Sequence, residues 1–515
     1  MPGSGATPPE QRQRTSDHHD GDVDLVSVIL ASAATVTITG VVATWWIQHR
    51  RRRRQRRNQN RQGPRRQGPR DTTTTPTKDA SLADLPSPLS AYEALIGNTP
   101  LVPLPQLSKL IGRPILVKME SLNPGGTGKD RAALKMIQTA EAAGLLPKPS
   151  TTMTRNSEEA AEARIHGESN AEPHEEHGSS SNPSNNQSNN NNSNADTLLD
   201  EILHRAAARS RTGGVVVEGT SGSTGISLAA LARARGHACV VVVPDDQAPE
   251  KKQLLHGLGA LTHVVPTASI ANPHHYVKLA QRAAERATRQ PHNQAIRAAF
   301  TNQFENEANF EIHYQTTGPE LWRGCHCNLQ AFCMSAGTGG TIAGVAKYLK
   351  EQSKIAGTRS PRIVLVDPPG SSLYNKIQHG VAFTHQQAEQ RLKRHRYDTL
   401  AEGIGLDRVT HNLALGLPYI DQAVQVSDQD AVDMAHWLLE HEGLFVGSSS
   451  AMNVVGAVRT AQDLPTGSVV VTIICDAGTR HVRRFWNREF VVKERGLKWP
   501  GDTVRIPESL RRYYS

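Results

Sequence analysis

Aromatic residues make up only 4% of this 515-residue chain, and hydrophobic residues 37%. A folded part must therefore be diluted by polar stretches that bury nothing. Cysteine is also sparse, with Cys239, Cys325, Cys327, Cys333 and Cys475. An odd, unevenly spaced set argues against a disulfide framework and suits a reducing compartment. Cys325-His326-Cys327 lacks a second ligand pair at finger-like spacing, so free thiols are expected and no metal. Acid is missing from Arg50 to Arg70, a stretch with eleven arginines. Taking those eleven charges from the net +9 leaves the remainder at −2. The basic character is one local run, so the folded body has no spread footprint for nucleic acid.

The chain is long enough for two domains with appendages. Residues 1–24 are polar and read as disordered. Leu25 to Ile47 then runs 23 residues without a charge and ends beside Trp45-Trp46. About 20 apolar residues span a bilayer, and the arginine block that follows belongs on the cytosolic side. Residues 25–47 are therefore expected to form one transmembrane helix, with the lipid bilayer as partner and the bulk of the chain in the cytosol. A modest span with a basic flank after it resembles the signal anchors of mitochondrial outer-membrane proteins; the endoplasmic reticulum is the rival. Residues 48–90 read as a basic tether. Residues 91–492 read as globular, interrupted at 149–196 by a tract of Ser, Asn, Glu and His that reads as a disordered insertion. Residues 493–515 form a C-terminal tail.

Within the globular part, apolar runs alternate with helix-period segments. Ile115–Val117, Val215–Val217, Val240–Val243, Ile363–Val366 and Val469–Ile474 read as strands, and Ala431–Glu440 as a helix opened by Ser427-Asp428. This alternation predicts an α/β fold of two lobes with mostly parallel sheets. In such sheets ligands sit beyond the carboxyl ends of strands, near helix N-termini. Five loops fall there. Lys118 to Arg131 carries Asn123-Pro124-Gly125-Gly126-Thr127-Gly128-Lys129 at a strand-to-helix turn. A cation is disfavoured at a helix N-terminus, which lowers the amine pKa and suits a nucleophilic lysine. Glu218 to Gly225 gathers hydroxyls and backbone N–H groups able to grip a carboxylate. A third stretch holds Gln303, Asn306, Asn309, His313 and Glu320, the last two read as core residues. Ser335 to Thr341 is glycine-rich and suits a phosphate. Glu442 to Ser450 ends in three serines.

Asn-Pro-Gly-Gly-Thr-Gly-Lys-Asp-Arg, together with Gly97-Asn98-Thr99-Pro100-Leu101, resembles the motifs of the cysteine synthase and cystathionine β-synthase family, including its membrane-anchored fungal type. The resemblance implies pyridoxal 5'-phosphate as cofactor, a fold of type II among enzymes using it, and Lys129 as Schiff-base lysine and proton carrier. It further implies that Gly337, Thr338, Gly339, Gly340 and Thr341 cradle the cofactor phosphate and that Ser449 meets the pyridine nitrogen. By the same match, Gly403 lies beside the exposed cofactor edge, and Thr220, Ser221, Thr224 and Gln303 hold the substrate carboxylate. Ser223 stands where the family commonly has Asn against the cofactor's phenolic oxygen. A homodimer is implied as well. The dehydratases of this fold usually carry a glycine tetrad and Ser-Ser-Gly-Asn, absent here. Only about 25 residues follow the fold and no cysteine precedes Cys239, unlike cystathionine β-synthases with regulatory modules or a haem segment. The implied reaction is β-replacement of O-acetyl-L-serine by sulfide, giving L-cysteine and acetate. Two alternatives stay open: cystathionine β-synthase-like replacement on serine, and a membrane-anchored scaffold derived from the family.

Overall fold

The computed structural model describes residues 92–149, 190–289, 296–384, 399–500 and 507–513. The expected span at 25–47, the tether at 48–90 and most of the insertion lie outside them. No helix among the described residues is long and apolar enough to cross a membrane.

Two sheets organise the described residues. β1 (Leu101–Pro103), β2 (Ile115–Met119), β7 (Ala331–Ser335), β8 (Arg362–Asp367), β9 (Gln422–Gln425) and β10 (Val470–Ile474) make a six-stranded sheet in the order β1-β2-β10-β7-β8-β9. Only the β1–β2 pairing is antiparallel. β3 (Gly214–Gly219), β4 (Ala238–Pro244), β5 (Leu261–Val265) and β6 (Arg297–Phe300) make an all-parallel sheet in the order β5-β4-β3-β6. Strands buried on both faces need unbroken apolar runs. Val215, Val216 and Val217 are fully buried, as are Val240 to Val243. The expected α/β architecture with mostly parallel sheets is the one observed.

The chain starts in the larger sheet, leaves after β2, builds the smaller lobe, and returns through helix Gly318–Gly324 into β7. The outward crossing carries Lys129, the first residue of α1 (Lys129–Ala142). Ala132, Ala133, Met136 and Ile137 of α1 pack on the smaller sheet beside Val216 and Val241. The larger lobe is closed by α5 (Asp428–Glu442) and α6 (Ser448–Gln462), once α2 (Asn190–Arg209), α3 (Ser223–Ala234) and α4 (Gly340–Ile355) have been laid down. Ser427 caps α5 by accepting from the Asp430 N–H, as its sequence suggests.

One boundary differs from expectation. Helix α2 begins at Asn190, inside the 149–196 tract. Asparagine is a poor helix former, but the buried stripe Leu199, Ile202, Leu203 and Ala206 anchors the later turns on the smaller sheet. The C-terminal tail also packs: Leu510 is fully buried, and Leu497, Trp499 and Tyr513 lie against the larger core. Scattered apolar residues in a polar stretch carry no period from which such packing can be read.

Both crossings are tied together by buried charges. Arg131 makes paired bonds to Glu120 (2.8 and 2.8 Å) and to Glu320 (2.7 and 2.7 Å). Lys118 Nζ lies 2.6 Å from Glu320 and also donates to the Thr99 carbonyl at 2.5 Å. Thr99 donates to Glu120 at 2.7 Å. Despite burial, Arg131 and Lys118 hold Glu120 down at about 2. Its contribution is thus present above the ordinary value of 4.5 and fades as pH falls towards about 2. Replacing Arg131 by Met would leave two buried carboxylates facing one lysine. We expect a loss of about 3–5 kcal/mol in unfolding free energy, read from urea titration at neutral pH.

Candidate active site

Lys129 is preceded by a tight turn in which Gly126 has φ +76° and Gly125 N–H donates to Asp130 at 2.6 Å. Ser227 of α3 donates to the other Asp130 oxygen at 2.5 Å, so the helix start is pinned to the smaller lobe. Burial holds Asp130 up at about 6. Burial also pushes the Lys129 amine below its ordinary value, while Cys475 and Asp476 oppose that fall. A lysine with a larger neutral fraction is a better nucleophile and base.

Lys129 lines a small cavity together with Met334, Ser335, Gly337, Thr338, Gly339, Thr341 and Ile342. The predicted lysine and the predicted phosphate loop thus share one space. Gly339 has φ +84° and caps α4, whose free N–H groups and dipole favour an anion. At Gly337, a Cβ would fall onto the carbonyl oxygen of Gly403, so the Gly403 loop lies directly over the cradle. The hydroxyls of the loop are held by their surroundings. Asn309 donates to Thr338 at 2.8 Å, and Thr410 donates to the Thr338 carbonyl at 2.7 Å. Thr341 bonds His313 at 3.1 Å, and the other ring nitrogen meets Thr317 at 2.9 Å. Burial, with Arg131 and Lys129 nearby, lowers His313 to about 3. Neutral imidazole here positions Thr341, in keeping with a core role.

The other predicted residues join this cavity by short links. Thr224 at the start of α3 donates to Gln303 at 2.6 Å. Asn309 bridges onward, since the same amide that reaches Thr338 also donates to the Gln303 carbonyl at 2.9 Å. Glu218 accepts from Thr301 (2.6 Å), Gly219 N–H (3.0 Å) and Gln303 N–H (3.2 Å), and burial holds it up at about 7. Thr220 is buried and accepts from Gly222 N–H at 3.2 Å, while Ser221 and Ser223 are half-buried on the same turn. Ser449 is buried at the start of α6, near the Cys475 thiol. No group of three or more His, Cys, Asp or Glu among the described residues is arranged to hold a metal.

A flat, phosphate-bearing aldehyde fits this set. A glycine cradle at a helix N-terminus would take the phosphate, Lys129 would bind the aldehyde carbon, and Ser449 would meet a ring nitrogen. Buried oxygens of Ser335 and Asn309 have no partner among the described residues, as expected where a polar ligand binds. The family model described as "Pyridoxal-phosphate dependent enzyme" matches residues 92–160 and 188–476. The chain belongs to this family. Pyridoxal phosphate is its cofactor, and the model passes over residues 161–187, within the tract read as an insertion.

Relatives of the enzyme include cysteine synthase 2 of Neurospora crassa, 44% identical over 82% of this chain and 77% of the relative. A Saccharomyces cerevisiae protein, provisionally named a mitochondrial cysteine synthase, is 40% identical over 78% of this chain and 85% of its own length. Cystathionine beta-synthase of Apis mellifera is 29% identical over 79% of this chain and 62% of its own length. Among solved structures, an O-ureido-L-serine synthase shares the fold with a TM-score of 0.53, at 24% identity over 76% of this chain and 93% of that one.

Several contributors carried no sequence signal. Asn309 was visible only as one asparagine among several, and Thr410, Cys475 and Asp476 lie outside every glycine-rich turn read as a site. Gly337→Ala tests the cradle. Its Cβ would displace the Gly403 carbonyl, so cofactor affinity should fall by about 100-fold or more, an effect of roughly 3 kcal/mol. Titration of the stripped protein with pyridoxal phosphate, read by visible absorbance, measures this.

Proposed function

We infer that the enzyme is a cysteine synthase that replaces the acetyl ester of O-acetyl-L-serine with sulfide, releasing L-cysteine and acetate. The observation that carries this reading is Ser449 at the start of α6, in a chain 44% and 40% identical to relatives named as cysteine synthases. Bound pyridoxal phosphate supplies an electron-withdrawing ring that lets the substrate α-carbon give up a proton and the β-carbon its substituent. A hydroxyl, unlike a carboxylate, does not keep the ring nitrogen protonated. The resulting moderate electron sink favours loss and exchange of a β-substituent over reactions that need a stronger one.

The chain's own residues supply the rest. Thr220, Ser221 and Thr224, with Gln303, bind the α-carboxylate at the N-terminus of α3, where backbone N–H groups and the dipole favour an anion. Ser223 at the same turn would donate one hydrogen bond to the cofactor edge. Lys129 would hold the cofactor and serve as the base that moves the substrate α-proton. Gly403 over Gly337 limits water at the phosphate side.

We propose further that residues 25–47 anchor the chain in the mitochondrial outer membrane with the catalytic part in the cytosol, and that the enzyme is a homodimer. The uncharged run and its arginine flank support the anchor, and the name of the yeast relative supports the organelle. In cell fractionation, full-length protein should stay in the mitochondrial pellet after alkaline carbonate. A chain lacking residues 1–90 should be soluble.

The reaction is tested by supplying O-acetylserine with sulfide, and separately serine with homocysteine, and identifying the products. Cysteine should form faster than cystathionine. Lys129→Ala should lose the visible band of the lysine-bound cofactor and at least about 1000-fold in rate, more than 4 kcal/mol of barrier. Faster cystathionine formation would overturn the substrate assignment, and an unaltered Lys129→Ala would overturn the enzyme reading.

A further inference from the structure

Beyond the residues assigned above, the segment after β10 brings a carboxylate into the lysine's surroundings. β10 runs parallel to β2 with Ile474 opposite Met119, so the two strands end side by side. The chain after β2 turns into Lys129, and the chain after β10 is Cys475-Asp476. Arg480, four residues on, donates to the carbonyl of Gly125 in the lysine's own turn. The two loops are thereby locked together.

Asp476 is held from several directions. One carboxylate oxygen lies 3.1 Å from His481 Nε2, and its carbonyl accepts from Gly447 N–H at 3.1 Å. Ser450 Oγ accepts from the backbone N–H groups of Cys475 (2.9 Å) and Asp476 (3.3 Å). A Cβ at Gly447 would strike both Asp476 and His481, so glycine leaves room for this pair beside Ser449. The second carboxylate oxygen is buried and has no hydrogen-bond partner among the described residues. An unpartnered charged oxygen in such a place is costly unless something cationic completes it.

We propose that Asp476 is the counter-charge of Lys129, a positioning residue that keeps on the lysine the proton taken from the substrate. This rests on the β-replacement reading. Lys129 takes the α-proton while the β-carbon–oxygen bond breaks and acetate leaves with that electron pair. Hydrosulfide then forms the β-carbon–sulfur bond, and the same proton returns to the α-carbon. Between these events Lys129 is an ammonium in a dry site. A buried ammonium without a counter-charge would shed its proton.

The surroundings leave Asp476 as the group for this task. Lys129 is faced by Cys475 and Asp476 from the end of β10 and by His313 from the turn His313–Thr317. Burial pushes the Cys475 thiol up to about 11, and His313 is neutral, so neither is an anion near neutrality. Asp476 is faced in turn by His481 and Arg480 on its own loop and by Lys251 of helix Pro249–Gly257. The His481 hydrogen bond, with the cations Lys251 and Arg480, holds it below the usual carboxylate range against burial. Lys251 is itself paired with Glu402, which also meets Arg484 at 3.5 Å. The carboxylate is therefore ionised across the working range and available to Lys129.

The test reads the lysine directly. Full-length protein is stripped of cofactor, and the rate at which it captures pyridoxal phosphate is followed by visible absorbance as a function of pH. Capture needs the neutral amine, so the rate rises through the Lys129 pKa. Asp476→Asn should move that midpoint down by about one pH unit, a tenfold change in neutral fraction at a given pH below it. Asp476→Glu should restore most of the shift. Should the amide variant not fold, Asp476→Ser, smaller and equally neutral, carries the same expectation. A midpoint unchanged in the neutral variants, or moved as far by Glu as by Asn, would overturn the proposal. The outcome is separable from the substrate assignment. A shifted midpoint in a protein that makes no cysteine would sink the substrate reading alone, and an unshifted midpoint in one that does would sink this inference alone.

Discussion

Arg131 is the residue on which the position of the site depends. The chain crosses between its two sheets near Glu120 and returns near Glu320, and one buried guanidinium binds both carboxylates at 2.7–2.8 Å. Because Arg131 stands two residues after Lys129, the same bonds set where the lysine enters the seam. Two cations and two carboxylates balance, counting Lys118, so no net charge is buried. Such a network is weak evidence for stability, since apolar replacement can do as well. Its value here is geometric: planar paired bonds permit one register between the crossings, which an oily contact would not enforce.

Around that fixed point, burial does most of the electrostatic work and specific partners decide its sign. Asp130 and Glu218 are lifted to about 6 and 7 because their hydrogen bonds do not outweigh desolvation. Glu120 and Asp476 go the other way because cations stand against them. His313 is forced neutral and becomes a fixed hydrogen-bonding post for Thr341. The same dry interior lowers the Lys129 amine, which makes it reactive, and makes a nearby carboxylate matter more than it would in water.

Much of this was legible beforehand. Strands such as Val215–Val217 and Val240–Val243 are apolar without interruption, the pattern of a sheet covered on both faces, and they are central strands here. Lys129 lines one cavity with Gly337, Thr338, Gly339 and Thr341, and the Gly403 carbonyl lies against Gly337. The onset of α2 at Asn190 and the packing of Leu510 were not legible. In both, tertiary contacts override local composition, which alone reads as unstructured. Asp476 was equally silent, because one acid after an apolar run looks like any strand end.

What the sequence determined by itself is the set of turns. Glycine spacing and strand-to-helix order are local properties, and they dictate where backbone N–H groups are left free to bind a phosphate or a carboxylate. Tertiary structure alone decided which turns face each other and which charges meet. The end of β10 lies beside the end of β2 only because the two strands are neighbours in the sheet, and Arg131 reaches Glu320 across 189 residues. Contacts at that separation arise from packing and burial, which no stretch of sequence records on its own.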